Sequence, residues 1–157
     1  MWGKAVSGSL KGTTLQDIPV TVAQWSDWKK KYPSTQVLSL NTGYLRDYGR
    51  NPYEGYTASD KLMFPLEKIR LELAPKARVV GIFLNGVAKA YSLEGLGRRK
   101  GGRMEDRFGE TPVVIEWIQE LDDVKVHDIL GKPIPAVRTY WFVWQLFYPD
   151  TEVYTGA

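Results

Sequence analysis

The pattern of apolar and polar residues predicts secondary structure most clearly in the second half of the chain. Residues 78–93 contain two β-prone runs, with Asn85 and Gly86 between them. An Asn-Gly pair in this position predicts a hairpin with a type I′ turn, because both central residues of that turn need positive φ. Thr111–Ile118 predicts a further strand, and residues 124–129 predict another. We therefore expect an antiparallel sheet centred on the hairpin.

One stretch of the chain occurs twice. Eight of the twenty positions in residues 18–37 recur in residues 134–153, at a constant offset of 116 and without a gap. Each copy contains an Ile-Pro pair, two Trp, a Tyr-Pro pair, a Thr and a Val. The two Trp and the Tyr are spaced i, i+3 and i+7, which places them on one face of a helix. Each copy predicts a short helix followed by an extended exit, and we expect the two helices to occupy related positions on the sheet.

The first copy predicts an amphipathic helix. Thr21 and Gln24 form a capping-box pattern, which predicts a helix over 22–31 with lysines on its outer face. Residues 36–40 alternate enough to predict a strand. Further along, residues 58–73 have a weak helical pattern that prolines interrupt.

The second copy predicts a helix that begins near Val137 and is apolar on every face, followed by an edge strand over 150–154. A helix without a polar face must be buried on all sides or covered by a partner. We therefore expect part of it at a subunit interface or over a groove, with a homo-oligomer or another protein as the partner. The candidate interface residues are Tyr140, Trp141, Phe142, Trp144 and Phe147.

Together these elements predict an α+β protein, with a mainly antiparallel β-sheet, a few short helices and an internal duplication. A chain of 157 residues buries roughly 70% of its unfolded surface, which is enough for a substantial core. We therefore expect a single domain over 1–157, with the duplicated unit near 18–37 and 134–153.

Composition excludes several classes of protein and site. No apolar run approaches the roughly 18 residues of a membrane span, and the first residues contain no signal-peptide core, so the compartment is left open. The absence of cysteine removes disulfides, thiolate nucleophiles and zinc–thiolate sites. His127 is the single histidine and cannot form a multi-histidine site, so we expect no metal and no cofactor. A net charge of +3 is too small to indicate nucleic-acid binding.

Residues 44–56 combine four tyrosines, two arginines, two glycines and a proline. This composition disfavours a regular helix or a central strand, so we expect a structured loop. Tyr rings offer rigid amphipathic area, and Arg offers a planar fork for carboxylates, phosphates or stacked rings. A loop packed by its own tyrosines, with Asp47 paired to Arg46 or Arg50, is the more common arrangement for such a composition. The candidate binding residues are Tyr44, Arg46, Asp47, Tyr48, Arg50 and Tyr53.

Residues 94–110 are rich in glycine and basic side chains, a composition that suggests a phosphate-binding loop. They contain neither a P-loop motif nor a complete dinucleotide fingerprint. We therefore expect an exposed connection between strands.

Three motifs carry a resemblance to a known family. Residues 46–53 read Arg-Asp-Tyr-Gly-Arg-Asn-Pro-Tyr, residues 85–91 read Asn-Gly-Val-Ala-Lys-Ala-Tyr, and Asp106 precedes Pro-Val-Val at 112–114. The sequence resembles an uncharacterised bacterial and archaeal family, domain of unknown function 3179. Its members tend to be longer, are often exported and have an upstream half with a Cys-x-x-Cys stretch that this sequence lacks. The resemblance implies no established activity.

Three classes of function remain. A non-catalytic binding or assembly module is favoured, because the aromatic enrichment is accompanied by no catalytic cluster. The second class is a hydrolase-type or other enzyme, although nothing in the spacing of its carboxylates tells an acid–base pair from an ion pair. Its candidates are Asp47, Glu54 and Asp106, near Arg46, Arg50 and Tyr48. The third class binds carbohydrate or nucleic acid by stacking. Its candidates are Tyr44, Tyr48, Tyr53 and Tyr56.

Overall fold

The computed structural model describes residues 3–66, 68, 70–121 and 123–156. The chain divides into two compact units, of which the smaller is Ala23–Lys68 and the larger joins Met1–Val22 to Ile69–Ala157. The prediction of a single domain stays a prediction. The helices are α1 Trp25–Lys31, α2 Glu54–Thr57, α3 Leu93–Arg98 and α4 Trp141–Phe147. The strands are β1 Arg78–Leu84, β2 Val87–Ser92, β3 Arg103–Phe108, β4 Thr111–Ile118, β5 Asp123–Asp128, β6 Val137–Tyr140 and β7 Glu152–Tyr154.

The predicted hairpin forms the centre of a four-stranded sheet in the larger unit. The strand order is β6-β1-β2-β7, with β1 and β2 antiparallel. Asn85 has a φ of 53° and Gly86 a φ of 79°, as a type I′ turn requires. At the edges, β6 pairs antiparallel with β1, and β7 pairs parallel with β2. These features confirm the α+β class, the central hairpin and the edge strand at the end of the second copy.

A second sheet consists of β3, β4 and β5, all antiparallel. Its strands β4 and β5 confirm the two strands predicted after the hairpin. The prediction of an exposed connection over 94–110 is wrong, because this stretch contains most of α3 and all of β3. Ser92 caps α3 by accepting a hydrogen bond from the N–H of Gly95 at 3.2 Å. Residues of β3 alternate between exposed and more buried positions, and its charged side chains obscure the strand pattern in the sequence.

The main apolar core joins the two sheets and α3. Burial of each large apolar side chain contributes about 1.5–3 kcal/mol, so this cluster is a major source of stability. Its buried members are Val80, Ile82, Tyr91, Leu93, Leu96, Phe108, Val113, Ile115, Val124 and Val126.

Helix α4 packs on the other face of the four-stranded sheet. There Val79 and Ala90 form a buried cluster with Trp141 and Trp144. The two faces follow from the alternation of side chains along β1. The helix begins at Trp141 and not near Val137 as predicted, because the intervening residues pair with β1 as β6.

Three of the five candidate interface residues are buried within their own chain. Trp141, Phe142 and Trp144 belong to the core and have almost no surface left for a partner. The prediction that these three residues lie at a subunit interface is therefore not supported by their burial. For Tyr140 and Phe147, which are partly exposed, the interface stays a prediction.

The smaller unit departs further from the predictions. Helix α1 begins at Trp25 and not at residue 22, because the backbone of Gln24 is extended and this residue is the N-cap instead of part of a capping box within the helix. Residues 36–40 form no strand, and the described residues of 58–73 form no helix. In the larger unit, the matching exit strand β7 exists because β2 provides a hydrogen-bonding edge.

The two copies also differ in burial. No residue of α1 is buried, whereas α4 contains four buried residues. The two helices therefore share no common packing environment, and the internal duplication stays a prediction from the sequence. None of the described helices has the length and apolar character needed to cross a membrane.

Candidate functional site

The tyrosine–arginine loop, residues 44–56, is shaped by short-range hydrogen bonds. The N–H of Gly49 donates to Asp47 Oδ1 at 3.0 Å, and the hydroxyls of Thr42 and Tyr48 lie 2.6 Å apart. An aspartate that bonds a backbone N–H two residues ahead forms an Asx-turn, which bends the chain locally. The loop also contains the single turn of α2, where the composition predicted no helix.

Three of the four tyrosines of this loop and both of its arginines lie at the surface, whereas Tyr56 is partly buried. Tyr44 is 75% exposed and Tyr53 58% exposed. Arg46 and Arg50 are exposed as well, and the described part of the chain shows no ion pair between either of them and Asp47. The alternative of a loop packed by its own tyrosines does not match this exposure. Planar donors and aromatic faces are therefore available to a ligand.

A separate polar cluster links the two sheets of the larger unit. Asp106 on β3 accepts hydrogen bonds from the Tyr91 hydroxyl at 2.6 Å and from Lys89 Nζ at 3.0 Å. Lys89 Nζ also lies 3.1 Å from a carboxylate oxygen of Glu152 on β7. The backbone N–H of Arg107 donates to Asp106 at 2.6 Å. The cluster consequently connects β2, β3 and β7.

Hydrogen bonds and charges within this polar cluster shift the pKa values of Asp106, Lys89 and Tyr91. Burial by itself raises the pKa of Asp106, but hydrogen bonds from Tyr91, Arg107 and Lys89 outweigh it, and the pKa is lowered. Burial by itself lowers the pKa of Lys89, but Asp106 and Glu152 outweigh it, and the pKa is raised. Burial and the hydrogen bond to Asp106 both raise the pKa of Tyr91. At neutral pH Asp106, Lys89 and Tyr91 are an ionised carboxylate, an ammonium and a neutral phenol, and the pKa of each is moved away from neutrality, whereas a poised acid or base needs a pKa near it.

Asp106 was predicted from the sequence as a candidate acid–base residue, but its contacts with Lys89 and Tyr91 were not predicted. One local signal was present, because alternate residues of a strand share a face, so Lys89 and Tyr91 had to lie side by side on β2. Their contact with Asp106 depends on how two separate sheets pack. The distance between side chains on two sheets cannot be read from the spacing of residues along the chain.

A cleft of about 840 Å³ opens in the larger unit. Its walls include residues 15–22 and 133–138, so the Ile-Pro pairs of both repeated stretches line it. Asp123 is its most buried polar residue, and one carboxylate oxygen accepts the N–H of Val22 at 3.1 Å. The other lies 3.8 Å from a guanidinium nitrogen of Arg138. The carboxylate is thus already engaged by the protein itself.

The remaining candidates for chemistry do not form a site. His127 Nδ1 lies 2.8 Å from the carbonyl oxygen of Asp128, and Nε2 lies 3.5 Å from Glu116. Within the ranges that the structure describes, no group of three or more His, Asp or Glu side chains is placed to hold a metal ion.

Fold and geometry define a small α+β protein with two mostly antiparallel sheets, an exposed tyrosine–arginine loop and a polar cluster that links the two sheets. The family described as Protein of unknown function (DUF3179) matches residues 1–132. The chain belongs to this family, which confirms the resemblance seen in its motifs. The matched region contains the loop and Asp106 and ends before α4. No curated protein matches the chain, and no solved structure matches it.

Proposed function

We propose that this chain is a non-catalytic binding module whose working surface is the tyrosine–arginine loop. The supporting observation is that exposed rings and two arginines are carried on a loop shaped by its own hydrogen bonds. Loops of defined shape lose less conformational entropy on binding than flexible ones. The candidate residues are Tyr44, Arg46, Asp47, Tyr48, Arg50 and Tyr53.

The surface chemistry favours a ligand with a carboxylate or phosphate group next to a flat face. Arg46 and Arg50 each offer a planar fork that matches two oxygen atoms of such a group. Tyr44 and Tyr53 offer faces on which a sugar or a base can stack, so carbohydrate is the second candidate ligand class. Asp106 is not assigned an acid–base role, because Tyr91 and Lys89 hold it as a carboxylate.

A thermal-shift screen of anionic metabolites and glycans on the full chain tests this proposal. We expect a stabilising ligand whose effect is lost in Arg46→Ala and in Tyr44→Ala. Lys11→Ala serves as the charge-matched control, because Lys11 is exposed and lies in the other unit. A ligand whose stabilisation survives both loop changes would contradict the proposal. A hydrolytic or transfer activity that Asp106→Asn abolishes would support an enzyme instead.

An assembly role through α4 is a second proposal, and it rests on one exposed side chain. Leu146 is 61% exposed next to the partly exposed Phe147 on this helix. Light scattering with Leu146→Lys tests it, since the matching residue of the first copy is Lys30. We expect wild type to self-associate at high concentration and the variant to remain monomeric. A monomeric wild type would contradict the proposal.

A further inference from the structure

The two tryptophan segments, residues 25–38 and 141–154, share one side-chain link. In the second segment, the indole N–H of Trp144 donates to Thr151 Oγ1 at 2.9 Å. In the first, the indole N–H of Trp28 donates to Thr35 Oγ1 at 3.0 Å. Both links span the helix end and fix where the following residues go.

The helix ends also match. Tyr32 has φ and ψ of −130° and 72°, and Tyr148 has −133° and 73°. Each of these tyrosines packs its ring against the tryptophan four residues earlier, with centroids 4.5 Å apart in the first segment and 4.3 Å in the second. The residues that the two segments share therefore set one local shape.

In the second segment, this local structure packs against the four-stranded sheet. The ring of Trp144 covers Gly81 on β1, and a Cβ placed at Gly81 would collide with Cε3 of that ring. The exit strand β7 then pairs in parallel with β2, with Val153 opposite Ala90. The shape thus docks a helix on a glycine-containing hairpin and adds a strand to its edge.

In the first segment the same groups are exposed. Trp25 is 50% exposed and Trp28 42% exposed, whereas Trp141 and Trp144 are 0% and 1% exposed. The exit residues 36–38 correspond to β7 but pair with no strand in the described part of the chain. Two large rings, each about half exposed, and an extended segment thus leave apolar surface in water, and its burial against a partner is favourable.

We infer that residues 25–38 form a docking segment for a β-hairpin of a partner polypeptide built like β1 and β2. The partner hairpin has a glycine under Trp28 on one strand, and its other strand has a free edge on which residues 36–38 pair in parallel. Main-chain hydrogen bonds along that edge supply affinity, and the pocket over the glycine supplies selectivity.

Two observations define this partner further. A second copy of the chain is disfavoured, because its own hairpin is already covered by α4 and β7. The partner also differs beside the helix, since the exposed Lys29 stands where α4 has the buried Gln145, and Lys30 and Lys31 replace the partly exposed Leu146 and Phe147. An acidic or solvent-facing border suits three lysines, and an apolar one does not.

The test supplies such a hairpin to the full chain. A second copy of residues 78–92 is fused ahead of Met1 through a linker of about 20 Gly and Ser residues, which reaches about 25 Å. Tethering provides an effective concentration on the order of 1 mM. We expect amide hydrogen exchange of residues 36–38 to slow about tenfold, and the NMR signal of the Trp28 indole N–H to shift.

Two matched fusions separate docking from nonspecific contact. One contains Gly81→Val in the added hairpin only, which blocks the ring of Trp28, and the other contains Trp28→Ala in the chain. In both of these fusions we expect amide hydrogen exchange at residues 36–38 to be as fast as in the unfused chain. Unchanged exchange in the parent fusion, or equal protection with the valine hairpin, would overturn the inference. Protection that rises with protein concentration in the unfused chain would identify a second copy as the occupant and overturn the choice of partner.

Discussion

Helices α1 and α4 show how one set of residues behaves in two settings. Both end in the same tryptophan–tyrosine pair and carry the same indole-to-threonine hydrogen bond. Only α4 is buried, and only its exit segment is a strand. The local conformation is therefore set by the residues that the two copies share. Burial of the helix and formation of the exit strand depend instead on a β-hairpin against which the segment can pack. The four predictions below test that division.

The largest expected difference is between the two tryptophans. Trp144→Ala removes a fully buried ring and leaves a cavity, so we expect a loss of about 3–5 kcal/mol in the free energy of unfolding. Trp28→Ala removes a ring that is already half in water, and we expect a loss below about 1 kcal/mol. Urea unfolding of the two full-length variants measures both values. Similar losses would show that α1 is as firmly packed as α4.

The predictability of the fold follows the same division. The hairpin and β4 could be predicted because an Asn-Gly turn and a β-branched run act over a few residues. The strand over 36–40 could not be excluded from the sequence, because Val37 and Val153 have the same local context and only Val153 has an edge strand opposite it.

The candidate sites follow the same rule. The tyrosine–arginine loop could be found from its composition, because its candidate residues lie close together in the chain. The polar cluster around Asp106 could not be assembled from the sequence, because its members lie on three strands of two sheets. The burial of α4 by its own chain could not be predicted either, because it depends on long-range packing. Leu73 and Ala77, which belong to neither copy of the repeated stretch, pack against its cluster.

The second prediction concerns the surface that receives α4. Gly81→Ala places a methyl group inside the ring of Trp144, so the helix must shift, and we expect a loss of about 2–3 kcal/mol. Gly55→Ala is the matched control, because a Cβ there meets no atom within 4 Å. We expect no loss for the control, since alanine favours a helix more than glycine does. Thermal unfolding compares the two, and equal effects would mean that the Gly81 contact is unimportant.

The third prediction isolates the shared hydrogen bond. Thr151→Val leaves the buried indole N–H of Trp144 without an acceptor, and we expect a loss of about 2 kcal/mol. Thr35→Val makes the same change at an exposed site, where water replaces the hydroxyl, and we expect less than about 0.5 kcal/mol. Urea unfolding measures both losses. A cost at Thr35 equal to that at Thr151 would indicate that the first segment is shielded from water.

The fourth prediction compares a charged residue of the polar cluster with an exposed one on α1, and we expect the smallest loss of stability here. At pH 7, Asp106→Asn weakens hydrogen bonds from Tyr91 and Lys89 to a carboxylate, and we expect a loss of about 1–2 kcal/mol. The matched change Asp27→Asn removes an exposed ion pair with Lys30 on α1, and we expect less than about 0.5 kcal/mol.

The pH dependence of that loss distinguishes a charge effect from a packing effect. The pKa of Asp106 in the folded protein is lowered, so its stabilisation is fully present above the unfolded pKa of about 4 and is lost as pH falls through the folded pKa. The pKa of Lys89 is raised, so its contribution is present below about pH 10 and is lost only above it. Urea unfolding should therefore give a constant difference between wild type and Asp106→Asn from about pH 5 to 8, and a shrinking one below about pH 4. A difference that does not change down to about pH 2 would mean that Asp106 stabilises the fold through shape and not through its charge.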